Sequence, residues 1–469
     1  MSGLIQDILR NAQSLSYHGR AVETAGHNLA NQNDPSYARQ RLALKEAMSI
    51  DSVFGVHPGG VTTFGREHAR SYILDRQILH GQGEVSYATA QRDIRDELQI
   101  ALGEEIDRQS STSSLDTTPD SDTVEGSLSK AIDEFFNAFQ ELSAAPTDAA
   151  QKEILFQKAE ILTTRFNAVD ERIEDVRTNL EAKLADEIAK IEGLLEEIAK
   201  LNDRIQKLEY KQRGLAVDLR DERQEAIEEL GTLVSLEMVQ LSNSVIGISA
   251  KTDDGTDVAL VDANGIAGDF VSDDGVLSFD PRRGTIAGLQ DAEASIDMLK
   301  NENIDPLASQ LIAAVNLAYN PDGVADGDFF DTATPNAAGI TIAASVAPNN
   351  IKVSNTAFAG GNDIAFGIAQ LAEKVFSTTG GDTIDGTFSE FIATTAARVG
   401  QDLRTAEADL EMHTIAENRI IQDRQEMGSV NIDEEVTDLL RYQRAFQASS
   451  KVINTLDQLL EVVVTGLIR

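Results

Sequence analysis

The sequence predicts a mainly α-helical protein with a small β insert, long coiled-coil-like helices, and N- and C-terminal helices packed together. Three observations carry this expectation. Apolar residues recur at three- and four-residue spacing over most of the chain. Short alternating runs between turn residues are confined to one central segment. Both ends carry an amphipathic stripe. A stripe cannot be buried within its own helix, so each end needs a partner, and the other end is the natural one. The expected organisation is nested and discontinuous. Residues 1–34 and 430–469 form a terminal coiled-coil domain, 35–231 and 286–429 a helical body, and 232–285 a β-rich insert.

Leu4, Ile8, Ala12, Leu15, Gly19, Val22, Ala25 and Leu29 define a first helix over 4–31, ended by Asn33-Asp34-Pro35-Ser36. Residues 36–65, punctuated by Gly55, Pro58, Gly59, Gly60 and Gly65, read as extended and loop-like. Helix is expected again over 67–105, a polar loop over 107–124, and a helix over 125–145 closed by Pro146. From 149 to 231 the chain reads as continuous helix. Leu162, Phe166, Val169, Ile173, Val176 and Leu180 keep a 4-3-4-3 spacing, which resumes at Ile191 after a stutter near Leu184 and Ile188. Residues 232–285 hold runs such as Val245-Ile246-Gly247-Ile248 between Asp/Gly turns, the pattern of hairpins. Helix returns over 286–320, 366–376 and 387–427. The last helix, 432–467, carries Leu439, Tyr442, Phe446, Ile453, Leu456 and Leu460 at near-heptad spacing.

The chain has 469 residues, enough for roughly two to four domains. With 5% aromatic residues and no Trp, it favours small-residue packing over aromatic-rich cores. A formal net charge of −38 repels phosphate backbones and anionic lipid headgroups, so neither nucleic acid nor a membrane surface is an expected partner. The absence of cysteine excludes disulfides, thiolate metal sites and Cys nucleophiles. Met1-Ser2-Gly3-Leu4-Ile5-Gln6-Asp7 lacks the basic and apolar regions of a secretory signal, so export is expected without a cleaved signal.

The segment Asn28-Leu29-Ala30-Asn31 through Pro35, Tyr37 and Arg39 resembles the N-terminal signature of the flagellar rod, hook and hook-associated axial proteins, with Ser36 where that family usually has Gly. Val430-Asn431-Ile432-Asp433-Glu434-Glu435, leading into Leu439 and Tyr442-Gln443-Arg444-Ala445-Phe446-Gln447-Ala448-Ser449, resembles its C-terminal helix, with Phe446 where Tyr is commoner. Three internal segments are similar to the hook-associated branch: Phe135-Phe136 through Pro146, Leu219-Arg220-Asp221 through Leu230, and Asn316 through Gly323 and Gly327 to Phe329-Phe330.

The resemblance implies an extracellular structural subunit exported by the flagellar type III apparatus. Its implied partners are further copies of itself in a ring, the hook protein, the next hook-associated junction protein, and an export chaperone at the C-terminal helix. It also implies terminal helices that stay disordered until assembly. An isolated helix of this length is marginal without a packing partner. The candidate assembly residues are Leu4, Ile8, Leu15, Val22, Asn28, Leu29, Asn31, Tyr37, Asn431, Glu434, Glu435, Leu439, Tyr442, Gln443, Phe446, Gln447, Ile453, Leu456 and Leu460.

No catalytic, cofactor or metal site is expected. The six His residues form no metal-binding spacing, and the Asp322, Asp326, Asp328, Asp331 segment departs from the calcium-loop pattern, so a solvated turn is expected there. Neither a phosphate-binding loop nor a nucleophile elbow occurs. Two alternatives stay open: a hook or distal-rod subunit, and a cytosolic coiled-coil adaptor.

Overall fold

The computed structural model describes residues 2–32, 37–46, 50–52, 55–57, 61–103, 127–210, 214–241, 244–268, 270–271, 276–355, 360–428 and 430–467. The helix break at Asn33-Asp34-Pro35-Ser36, the loop at 107–124 and the Asp273-Asp274-Gly275 turn lie wholly or largely outside them. The fold is mainly helical with small antiparallel β elements, as the sequence predicts. The chain divides into two units, each discontinuous in sequence. One comprises Met1–Ser86, Glu187–Ala287 and Met412–Arg469, the other Tyr87–Asp186 and Gly288–Glu411. The β segment at 232–285 belongs to the first unit, and residues expected to form a single helical body fall in both.

In the first unit, α1 (Ser2–Ala30) leads to a hairpin of β1 (Gln40–Glu46) and β4 (Val61–His68), between which β2 (Ile50–Ser52) pairs with β3 (Gly55–His57). The stretch read as loop-like is thus partly strand. Of the residues that suggested a loop, Gly55 and Gly65 lie in β3 and β4, while Pro58, Gly59 and Gly60 lie outside the described residues; a bulge at Ala43/Leu44 takes up the register shift. Helix α2 (Tyr72–Leu102) then starts later than expected.

Helix α4 (Ala149–Glu209) carries the predicted stripe, and Leu155, Leu162, Phe166, Val169, Ile173 and Leu180 are all buried. The stutter near Leu184 and Ile188 falls at the boundary between units, after which Ile188, Ile191, Leu195, Ile198 and Ile205 are buried in the first unit.

The expected continuous helix to 231 is broken, because α5 (Val217–Leu233) is a separate helix. The cause is Gly214 at φ +80°, where a Cβ would lie 2.4 Å from the Arg66 carbonyl oxygen. Only glycine lets this turn meet β4, where the Arg66 N–H donates to the Gly214 carbonyl at 3.1 Å. The buried Glu209 carboxylate braces the turn by accepting the N–H groups of Gly214 (3.0 Å) and Ala216 (3.2 Å), and it pairs with Arg220. Burial works against the charge of Glu209, but bonds from Ser244, Arg220 and Ala216 prevail and hold its pKa below the ordinary value.

After α5 the chain forms a four-stranded antiparallel meander in sequential order: β5 (Leu236–Gln240), β6 (Ile246–Lys251), β7 (Asp257–Asp262) and β8 (Gly265–Ile266). The unit is completed by the C-terminal part of α9 (Phe388–Gly428) and by α10 (Ile432–Leu467).

The second unit is built on the C-terminal part of α2, α3 (Leu128–Ala144), the N-terminal part of α4, most of α6 (Thr285–Leu299), α7 (Asp305–Tyr319), α8 (Asp363–Ala369) and the first part of α9. Ser127 caps α3 by accepting the Lys130 N–H at 3.3 Å. A π turn at Lys300–Ile304 separates α6 from α7, just before Pro306, which has no N–H for the helical ladder.

The core here is mainly Leu, Ile, Val and Ala, as the composition predicts, but it holds a local aromatic cluster. Phe135, Phe139, Phe329 and Phe330 are fully buried with ring centroids 5.0–5.9 Å apart. Burial of each contributes about 1.5–3 kcal/mol, so a chain poor in aromatics gains most from gathering them in one place. The Asn316 side chain holds the Phe329-Phe330 backbone. Its Oδ1 accepts both N–H groups, at 3.0 and 2.8 Å, and its Nδ2 donates to the Phe330 carbonyl at 2.9 Å.

In the aspartate-rich turn Asp322 accepts from Asn355, Asp328 from Asn320 and Asp331 from the Ala333 N–H. Among the described residues no three His, Asp or Glu side chains converge to hold a metal. No described helix is long and apolar enough to cross a membrane.

Candidate assembly site

Helices α1 and α10 run antiparallel, since Asn28 meets Glu435 near one end while Tyr17 meets Tyr442 further along. The buried face of α1 is made largely of small residues. On α1, Ala21, Thr24, Ala25 and Asn28 are buried, and their three- and four-residue spacing puts them on one face. A Cβ on Gly19 would sit 3.6 Å from the Phe446 ring. Tyr17 and Tyr442 meet edge to face at 6.2 Å between centroids.

The large residues expected to form the seam are less sheltered. Ile8, Leu15, Val22, Leu29, Leu439, Tyr442, Ile453, Leu456 and Leu460 are half-buried. Gln443 and Gln447 are exposed, and so is Phe446 at 40% despite its contact near Gly19. The side chain of Leu4 lies outside the described residues. Ile5, Leu9, Val436, Leu440, Val452 and Leu459 are also exposed, so one helix partner leaves much of each stripe facing solvent.

The base of the pair is a buried polar lock in which the two terminal signatures meet. Asn28, 2% exposed, donates from Nδ2 to the Gln40 carbonyl (3.0 Å) and to Glu435 Oε2 (3.1 Å). Its Oδ1 accepts the Gln40 N–H and the Tyr37 hydroxyl, both at 2.9 Å. All of the hydrogen-bonding capacity of this amide is therefore used. Burial, with Asp221 and Asp218 nearby, pushes the Tyr37 phenol well above its ordinary pKa, so it remains a donor.

Glu435, 3% exposed, also accepts Arg39 Nε at 2.6 Å, while Arg39 NH1 reaches the exposed Glu434 at 3.0 Å. Burial opposes the charge of Arg39, but the two carboxylates outweigh it and raise its pKa. The backbone continues the lock: the Arg39 N–H donates to the Gly428 carbonyl and the Ala69 N–H to the Arg39 carbonyl. Asn431 is exposed and caps α10, its Oδ1 accepting the Asp433 N–H at 3.0 Å. Asn31, half-buried, donates its backbone N–H to the His27 carbonyl.

Arg39 and Gln40 are absent from the residues expected to act here. Arg39 belongs to the N-terminal signature, so the sequence did carry a signal for it. Ala25 lies in the predicted stripe, whereas Ala21 and Thr24 had no signal on a scale that ranks side chains by apolar size.

The two terminal segments that resemble the flagellar axial signatures are thus joined by one shared lock. Residues 112–330 match the family model "Flagellar hook-associated protein FlgK helical domain", and 421–465 match "Flagellar basal body rod FlgEFG protein C-terminal". Flagellar hook-associated protein 1 of Bacillus subtilis (strain 168) is 24% identical over 517 aligned positions, covering 97% of each chain. The protein of that name from Salmonella typhimurium is 24% identical over 304 positions, which span 64% of this chain and 49% of the relative. A solved structure of the flagellar hook junction protein FlgK from Burkholderia pseudomallei is 17% identical, covers 55% of this chain and 46% of its own, and has a TM-score of 0.37. Over nearly its whole length the chain is thus similar to flagellar hook-associated protein 1, a structural protein of the flagellum.

Proposed function

We propose that this chain is a non-catalytic subunit of the junction between flagellar hook and filament, exported from the cell and assembled as a ring of copies. In this reading its neighbours are the hook protein on one side and the next hook-associated junction protein on the other. Before assembly an export chaperone shields α10.

The observation that carries the proposal is the contrast within the terminal helix pair. Its base is locked by fully satisfied buried groups, while the stripes above it stay half-exposed. A surface of that kind gains stability from packing against neighbouring copies, which couples ordering of the helices to assembly. The half-buried Ile8, Leu15, Val22, Leu29, Leu439, Ile453, Leu456 and Leu460, with exposed Phe446, form the packing surface. Gln443 and Gln447 set the register. The locked Asn28, Tyr37, Arg39, Glu434 and Glu435 fix the angle at which the pair leaves the rest of its unit.

The test is electron microscopy of a strain lacking the gene, with flagellin assayed in the medium. Completed hooks without filaments, and shed flagellin, are expected. Missing hooks would assign the chain to the hook or rod instead, and normal flagella would overturn the proposal.

A further inference from the structure

A cavity of about 390 Å³ lies within the first unit, between the β1/β4 hairpin, the start of α2, α5 and the β5/β6 strands. That is room for more than a single water molecule. Arg66, Arg220 and Arg223 line it from two sides, α5 supplying the last two one turn apart.

Arg223 is 4% exposed, yet its hydrogen-bond partners among the described residues are neutral. NH1 donates to Asn202 Oδ1 at 2.7 Å and to the Ser244 carbonyl at 2.9 Å. A buried guanidinium is ordinarily paired with a carboxylate. The nearest candidate, Glu209, is engaged by Arg220. Arg220 also donates to Ser244 Oγ at 3.1 Å, so both guanidiniums converge on one serine.

Ser244 is held at φ +66°, a backbone conformation that a non-glycine residue adopts at a cost and that clusters where ligands are clamped. Among the described residues, the Nε atoms of Arg220 and Arg223 and Nε2 of His68, which also lines the cavity, are buried without a hydrogen-bond partner. Burial and the charge of Arg220 push the Arg223 pKa down to about 10, the response of a cation whose charge is not neutralised. The cavity's own carboxylates are those of Glu67 and Asp75, and burial raises the pKa of Asp75.

We propose that this cavity binds one free tetrahedral oxyanion, phosphate or sulfate, as the counter-ion of Arg223. Guanidiniums reach the cavity from α5 and from β4, where Arg66 also donates to Gln40 Oε1 at 3.3 Å and lies 3.7 Å from Glu23, and donors from two elements suit a tetrahedral ion better than a planar carboxylate. Arg66 and Arg220 have side chains 28% and 30% exposed, so the cavity is reachable from solvent. The function is structural. The ion links the hairpin to α5 beside the terminal lock and adds binding free energy to folding. This site goes beyond the assembly proposal and does not depend on it.

The experiment is equilibrium dialysis of the full chain against radiolabelled inorganic phosphate at low ionic strength, with thermal melts in phosphate and in chloride of matched ionic strength. One saturable equivalent per chain is expected, with affinity at least tenfold weaker in Arg220→Gln and Arg223→Gln and unchanged in the surface control Arg441→Gln. The wild-type Tm is expected to rise in phosphate above the chloride value. Should Arg223→Gln fail to fold, the part-exposed Arg220→Gln and the wild-type melt decide. Absent or unsaturable binding, or wild-type affinity in folded Arg220→Gln, overturns the proposal.

Discussion

Replacing Glu435 by Gln tests the lock most sharply, because it keeps the shape and removes the charge. The wild-type carboxylate is buried and accepts Arg39 Nε at 2.6 Å and Asn28 Nδ2 at 3.1 Å. Removing one member of a buried ion pair costs about 3–5 kcal/mol when the other is left alone. Arg39 keeps Glu434 at 3.0 Å, and the Gln oxygen can still accept one bond, so the cost here is about 2 kcal/mol, near the lower end for a lost charge-assisted bond. At 1.4 kcal/mol per factor of ten, that corresponds to ~30-fold faster local opening.

Hydrogen exchange read by mass spectrometry is the appropriate assay. A two-unit chain need not unfold in one step, whereas exchange reports the lock itself. The Gln40 N–H, bonded to Asn28 Oδ1, and amides at the start of α10 are expected to exchange ~30-fold faster, while those of Phe329 and Phe330 in the second unit stay unchanged. Equal exchange at Gln40 in wild type and variant would refute the view that Glu435 holds the two signatures together.

Three further outcomes are expected. Gly214→Ala forces a left-handed alanine whose Cβ collides with the Arg66 carbonyl, costing about 2–4 kcal/mol, read as a lower Tm of the full chain. Asn316→Ala strands the N–H groups of Phe329 and Phe330 and the Phe330 carbonyl in a buried site, costing about 2–4 kcal/mol, with faster exchange at those amides. The depressed pKa of Glu209 means that its contribution is present above the ordinary glutamate pKa and is lost as pH falls through the lower folded value. Melts from pH 7 down to pH 3 should therefore show Glu209→Gln less stable than wild type near neutrality and nearly equal to it in acid, whereas parallel curves would contradict this.

What was legible in the sequence followed from periodicity and from signature residues. The stripe of α4 could be read directly, and even its stutter at Leu184 and Ile188 marks where one unit gives way to the other. The α4/α5 break was hidden because Gly214 is a single residue in a charged stretch, and its role depends on Arg66, distant in sequence. The β1/β4 hairpin was read as loop because its strands are interrupted by an inner hairpin and a bulge. At the terminal pair, Asn28 and Glu435 stood out through the signatures. Of the small buried residues of α1, Ala25 lay in the predicted stripe, but Ala21 and Thr24 did not stand out, because small side chains carry little weight in an apolar pattern. The buried arginines of α5 escaped for a related reason, since a charge pattern does not reveal which guanidinium lacks a carboxylate.

The central claim, that the terminal helix pair is completed by neighbouring copies, is tested most directly by Phe446→Asp in a strain lacking the native gene. Phe446 is 40% exposed, so the change costs the free protein little, and its Tm and secretion are expected to match wild type. A carboxylate in a surface buried on assembly would go unpaired. Secreted, folded protein, hooks without filaments, and flagellin shed into the medium are therefore expected, whereas normal filaments on cells carrying Phe446→Asp would show that neighbouring copies do not bury this surface.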